Sequence, residues 1–144
     1  MGNNLFIDTD IILDILLDRA EFFDDSSAIF QKFEKGEVLL FTSSSIIINA
    51  QYVGQKEIGK DRCRSTINYL LNYFQIIDTN ITLLKKAYNS KFSDIEDAIQ
   101  YFTATENDKI DFFITRNVKD FRAGGKLLRV ATPAQFLKTF KQNS

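Results

Sequence analysis

The apolar runs of this chain are short, nearly unbroken and far apart. Leu5-Phe6-Ile7, Val38-Leu39-Leu40-Phe41 and Phe112-Phe113-Ile114 each lack an alternating polar face. A strand apolar on both sides must be covered on both sides, which is the pattern of a parallel sheet. The stretches between them carry helical spacing, and strands alternating with helices argue an α/β domain. Strands are expected at Leu5–Asp8, Val38–Phe41, Gln75–Asp78, Asp111–Thr115 and Leu127–Ala131.

Helices are expected over Asp10–Asp18, Ser26–Lys35, Ser45–Lys56, Asp61–Tyr73 and Ile81–Asn89. Ser45–Lys56 holds the β-branched run Ile46-Ile47-Ile48, so a strand is the second reading there. Ser93-Asp94-Ile95-Glu96 has capping-box spacing and makes Ser93 the expected N-cap of a helix reaching about Glu106. Thr132-Pro133 opens a last helix, Ala134–Lys141, with proline in its favoured first position.

Right-handed crossovers bring the carboxyl ends of parallel strands to one edge. Asp8, Thr42-Ser43, Asp78 and Thr115 would all emerge there, at the edge where open α/β sheets bind ligands. The order of the strands is not readable from these residues.

The chain has 144 residues, enough for one domain spanning 1–144 with a sizeable core. One cysteine, Cys63, excludes an intrachain disulfide and a cysteine metal cluster. The absence of histidine excludes a Ser-His-Asp triad, a histidine-ligated zinc and a histidine base. Any chemistry must use carboxylates, amides, hydroxyls, lysine or arginine. Oxygen ligands suit hard cations such as Mg²⁺ or Mn²⁺. Met1-Gly2-Asn3-Asn4 lacks the pattern of a signal peptide, and no long apolar run suggests a membrane span. A cytoplasmic protein is the expectation.

Charge is uneven. Residues 1–30 hold seven acids and one base, and residues 115–144 hold seven bases and one acid. Solvated helix faces explain such clusters as readily as an acidic pocket beside a basic rim for a polyanion.

Three groups converge on the sheet edge. The first is Asp8 with Asp10. The second is Asp94, Glu96 and Asp97 in the first turn of a helix, where dipole compensation is the bland explanation for Asp94 and Glu96. Asp97 precedes Ala98-Ile99, nearer the apolar face. The third is Thr115-Arg116-Asn117-Val118-Lys119-Asp120-Phe121, a polar turn after an apolar strand. Phe121 and the five tyrosines fit packing better than a base-stacking platform.

Ile7-Asp8-Thr9-Asp10-Ile11-Ile12-Leu13-Asp14, Asp94-Ile95-Glu96-Asp97-Ala98 and Ile114-Thr115-Arg116-Asn117-Val118-Lys119-Asp120-Phe121 together resemble the PIN domain. The likeness is to the toxin-type branch that includes VapC ribonucleases, and it covers nearly the whole chain. It implies a three-layer α/β/α sandwich with a central, mostly parallel sheet of roughly four or five strands. It implies a metal-dependent endoribonuclease using Mg²⁺ or Mn²⁺. By that resemblance Asp8, Asp97, Asp10 and Asp120 are metal candidates, and Asp8, Asp97, Asp120 and Asn117 are catalytic candidates. Ser43, Asn49, Thr115, Arg116, Lys119 and Arg122 are substrate-binding candidates. RNA is the implied substrate, a small antitoxin protein an implied partner, and a homodimer the implied assembly, with Ile46, Ile47, Ile48, Tyr52 and Val53 as candidate dimer face.

Three positions depart from the family pattern. Asn49 stands where a glutamate is usual, Asn117 where many members have an aspartate, and Asp10 where asparagine is usual. They support an alternative: a catalytically weakened module that binds RNA or protein. A phosphatase or response-regulator type is a third possibility, for which Lys119 is a poor match.

Overall fold

The computed structural model describes residues 3–143. Met1 and Gly2, part of the N-terminal pattern read above, lie outside the described residues, as does Ser144. The strands are β1 (Asn4–Ile7), β2 (Leu39–Thr42), β3 (Phe74–Ile76), β4 (Phe112–Ile114) and β5 (Arg129–Ala131). They form one five-stranded sheet in the order β3-β2-β1-β4-β5, and every pairing is parallel. Leu5, Phe6 and Ile7 are fully buried, as expected of a central strand covered on both faces.

The helices are α1 (Thr9–Leu16), α2 (Phe23–Glu34), α3 (Ser44–Ile58), α4 (Lys60–Leu70), α5 (Ile81–Tyr88), α6 (Ile95–Glu106) and α7 (Pro133–Asn143). α1 packs on α2, α3 and α4, α7 packs on α2, and α5 packs on α6. The result is a three-layer α/β/α sandwich.

The run Ile46-Ile47-Ile48 is helical. Ser43 caps α3 by accepting from the Ile46 N–H at 3.3 Å, and burial of Ile46 and Ala50 against the core outweighs β-branched propensity. At the other end Gly59, with φ +89°, turns the chain directly into α4.

Several local expectations shift. The N-cap of α6 is Asp94, not Ser93: its carboxylate accepts from the Asp97 N–H at 3.0 Å, so the cap falls one residue later. The helix expected to end at Tyr73 ends at Leu70. A 3₁₀ turn, Leu71–Tyr73, then leads into β3, which places Phe74 in the sheet. The segment after β4 is not a plain loop, since Val118–Gly124 winds as a 3₁₀ helix. Tyr101 is fully buried, but Tyr52, Tyr69 and Tyr88 are exposed rather than packed.

The far side of the core is aromatic. Phe113 stacks on Phe6 at 5.3 Å between ring centres and meets Phe121 at 4.6 Å. Phe121 is 2% exposed and belongs to this core. Gly124 lies against Tyr101 so closely that a Cβ there would sit 2.4 Å from the ring. This contact docks the 3₁₀ segment, and with it Asp120, against α6. No described helix is long and apolar enough to cross a membrane.

Candidate active site

From β1 the strand order runs outward one way through β2 and β3, and the other way through β4 and β5. The direction of winding therefore reverses between β1 and β4. Helices diverge at such a switch point, and the crevice they leave lies just beyond the carboxyl ends of the two strands. Asp8 follows β1 and Thr115 follows β4, so both stand at its mouth. The Asp8 N–H donates to the Ile114 carbonyl at 3.0 Å, continuing the strand pairing one step further.

Asp8 is also the N-cap of α1 and accepts from the Thr9 N–H at 2.8 Å. Its second oxygen accepts from Thr115 Oγ1 at 2.9 Å. Asp10 turns the same way. Its Oδ2 accepts from the Arg116 N–H at 2.9 Å, with Thr115 Oγ1 at 3.3 Å and Asn117 Nδ2 at 3.5 Å. Its Oδ1 is buried and has no partner.

Electrostatics tie the other acids to this pair. Burial raises the Asp8 pKa to about 7; the Asp10 and Asp97 charges add to the rise, and the Thr9 and Thr115 hydrogen bonds oppose it. Asp97 is raised to about 6 by burial, then by the charges of Asp94, Asp120, Asp10 and Glu96. Asp10 is raised by burial, opposed chiefly by the Arg116 N–H and guanidinium. The fold thus brings Asp8, Asp10 and Asp97 within reach of one another's charge, and Asp120 within reach of Asp97.

The remaining candidates divide. Thr115 is buried between the two aspartates. Asn117, Lys119, Asp120 and Arg122 are exposed on or beside the 3₁₀ segment, and Lys119 and Arg122 form no ion pair among the described residues. Arg116 turns inward: its Nε lies 3.3 Å from Asp14 Oδ2 and its guanidinium lies over the Phe22 ring at 4.2 Å. Ser43 is 2% exposed and donates to Gln100 Oε1 at 2.7 Å. Gln100 Nε2 in turn donates to Ser45 Oγ at 2.7 Å. Asn49 is half-buried on α3, one turn beyond Ser45 on the same face.

Two residues outside the candidate set belong to this neighbourhood. Asp14 is fully buried and is held by Ser26 Oγ at 3.1 Å and by Arg116. Its spacing of four from Asp10 on an otherwise apolar helix was the available signal. Gln100 lies three residues beyond Asp97 and clamps α6 to the end of β2.

A family model described as the PIN domain matches residues 4–119. The chain belongs to the PIN domain family. Among solved structures, a chain of VapBC2 from Rickettsia felis, bound to a DNA fragment from its promoter, is similar to it with a TM-score of 0.66. Identity is 14%, and the match covers 90% of this PIN domain and 98% of that chain, so the likeness is one of fold. No curated protein matches the sequence.

The PIN family implies a divalent cation, for which oxygen ligands are needed. No group of three or more Asp, Glu or Cys side chains among the described residues is arranged as a ready cage. Mg²⁺ does not require one, because it keeps several waters and often takes only one or two carboxylates besides substrate phosphate. The buried, partnerless Asp10 Oδ1 and the mutual repulsion at Asp8 and Asp97 are relieved by a cation. The donor set, all oxygen, fits Mg²⁺ or Mn²⁺.

Proposed function

We propose that this PIN domain is a metal-dependent endoribonuclease of the toxin type. The observation that carries the reading is the meeting of Asp8, Asp10 and Asp97 at the switch point of the sheet, where each has its carboxyl pKa raised. Groups perturbed by burial and like charge in a crevice are characteristic of working sites.

Asp8 and Asp97 would hold Mg²⁺ or Mn²⁺, with Asp10 and Asp120 contributing charge around them. When bound, the ion supplies Lewis acidity and lowers the pKa of water. The protein's own contribution is positional. Thr115 keeps Asp8 and Asp10 in one orientation through their Oδ2 atoms. Gln100, bonded to Ser43 and Ser45, fixes the helix that carries Asp97. A carboxylate beside the ion can also take a proton from an attacking water. Lys119 and Arg122 stand free at the rim to contact backbone phosphates, which would position RNA without reading its sequence.

The likeness to a chain of VapBC2 supports a small antitoxin as partner. Homodimer formation is proposed through the exposed apolar side chains of α3, Ile48, Tyr52 and Val53. Asn49 and Asn117, in place of carboxylates, favour a second reading, a weakened module that binds RNA with little turnover.

Purified protein incubated with single-stranded and structured RNA in Mg²⁺, Mn²⁺ or EDTA separates these readings. Cleavage that needs metal and disappears in Asp8→Asn and Asp97→Asn supports the nuclease. Equal RNA loss by wild type and both variants sinks it. Retention of intact RNA in a binding assay leaves the binding module.

A further inference from the structure

Arg116 is turned into the protein rather than out to solvent, with its side chain 23% exposed. Its Nε lies 3.3 Å from Asp14 Oδ2 and 4.0 Å from Asp10 Oδ2, and its backbone N–H is bonded to the same Asp10 oxygen. The Phe22 ring covers one face of the guanidinium. Asp14, fully buried, gains its other contacts from Ser26 and from Arg19 at 3.9 Å. Asp14 Oδ1 and Arg116 Nε are buried without a hydrogen bond, so charge rather than directed bonding holds the group together.

We propose that Arg116 is an internal counter-cation of the crevice. It offsets Asp10 and Asp14 so that the carboxylates pack together without metal, and it lowers the crevice's affinity for a divalent ion. The proposal rests on the reading of the crevice as a cation site, and it gives Arg116 a role distinct from phosphate contact. Asp14 is its anchor: it lies 3.3 Å from Arg116 Nε, closer than Asp10 Oδ2 at 4.0 Å, and the buried Asp10 Oδ1 is left without a hydrogen bond.

The sign of the effect identifies the role. A side chain that orients a metal ligand lowers affinity by about 10–100-fold when removed. A counter-cation does the opposite, because its removal leaves the crevice more negative at close range. Arg116→Gln is therefore expected to bind Mn²⁺ about tenfold more tightly than wild type. Without metal it is expected to melt at a lower temperature, and to recover more than wild type on adding Mn²⁺.

Calorimetric titration with Mn²⁺, alongside thermal melts in EDTA, tests this. Absence of Mn²⁺ binding by the wild type overturns the cation-site reading itself. Binding by the wild type, with unchanged or weaker binding by Arg116→Gln, overturns the counter-cation and leaves the site. Should Arg116→Gln fold only with Mn²⁺ present, the proposal is supported. Should it not fold at all, the double variant Arg116→Gln/Asp14→Asn decides, since it leaves neither charge of the buried pair unmatched. It is expected to bind Mn²⁺ several-fold more tightly than Asp14→Asn alone, whereas equal binding overturns the proposal.

Discussion

Asp8→Asn should make the metal-free protein more stable, and only at neutral and alkaline pH. Folding raises the Asp8 carboxyl pKa from 3.8 to about 7. Between those values the folded state binds a proton that the unfolded chain has released, so stability falls as pH rises through this window and levels off above it. Each tenfold change in proton affinity is worth about 1.4 kcal/mol, which sets a ceiling of about 4 kcal/mol on the loss. Asparagine removes the charge and still caps α1, but it accepts less well from the Thr9 N–H and Thr115 hydroxyl. The expected net gain is therefore about 2 kcal/mol near pH 8, shrinking toward zero near pH 4. Urea unfolding in EDTA across that range measures it directly. Saturating Mg²⁺ should reverse the order, since a ligand at about 100 times its Kd stabilises the wild type by about 2.7 kcal/mol. An Asp8→Asn protein equal to or weaker than wild type at pH 8 in EDTA would show that the crevice does not strain Asp8.

Other substitutions test neighbouring parts of the structure. Gly124→Ala should destabilise by about 1–3 kcal/mol in urea melts, because the new methyl meets the rigid, buried Tyr101 ring; a neutral result would mean the 3₁₀ segment docks elsewhere. Gln100→Leu leaves the buried Ser43 hydroxyl without its acceptor and should lower stability by about 1–3 kcal/mol. If the bridge fixes Asp97, it should also reduce RNA cleavage, and full activity would separate the two. Asn49→Glu should raise Mn²⁺ affinity in calorimetry by restoring a carboxylate one turn beyond Ser45; no gain would place position 49 outside the metal's reach. Tyr52→Glu puts a charge on the exposed face of α3 and should halve the mass measured by light scattering if that face forms the dimer.

The fold was legible because three runs, at residues 5–7, 38–41 and 112–114, are apolar on both faces, and only a covered parallel sheet accepts such strands. The carboxyl-edge residues Asp8, Ser43 and Thr115 followed from that alone. Strand order did not follow, because Asp8 and Thr115 are bonded across 107 positions of sequence and no local pattern encodes such a pairing. The α6 cap was misassigned because Ser93 and Asp94 both cap well, and only the backbone geometry chooses between them. Ser43 stands at the strand end as expected but faces inward, since Gln100, 57 residues away in sequence, supplies its partner. The orientation of Arg116 was equally hidden: its position in the turn was readable, but its burial depends on Asp14 and Phe22 from the opposite end of the chain.

That last contact gives the charge asymmetry of the sequence its meaning. An acidic first segment and a basic last segment suggest a metal pocket beside an RNA-binding rim. The two segments do meet, and Arg116 of the basic one crosses into the acidic side. Arg116 lies beside Asp10 and beside the fully buried Asp14, which solvent cannot reach to screen. Asp8 and Asp97 have raised proton affinities and no ion pair among the described residues. Lys119 and Arg122 remain outward and uncommitted. The base that enters the crevice is thus committed to Asp10 and Asp14, a division that supports the proposal of a divalent ion held by Asp8 and Asp97.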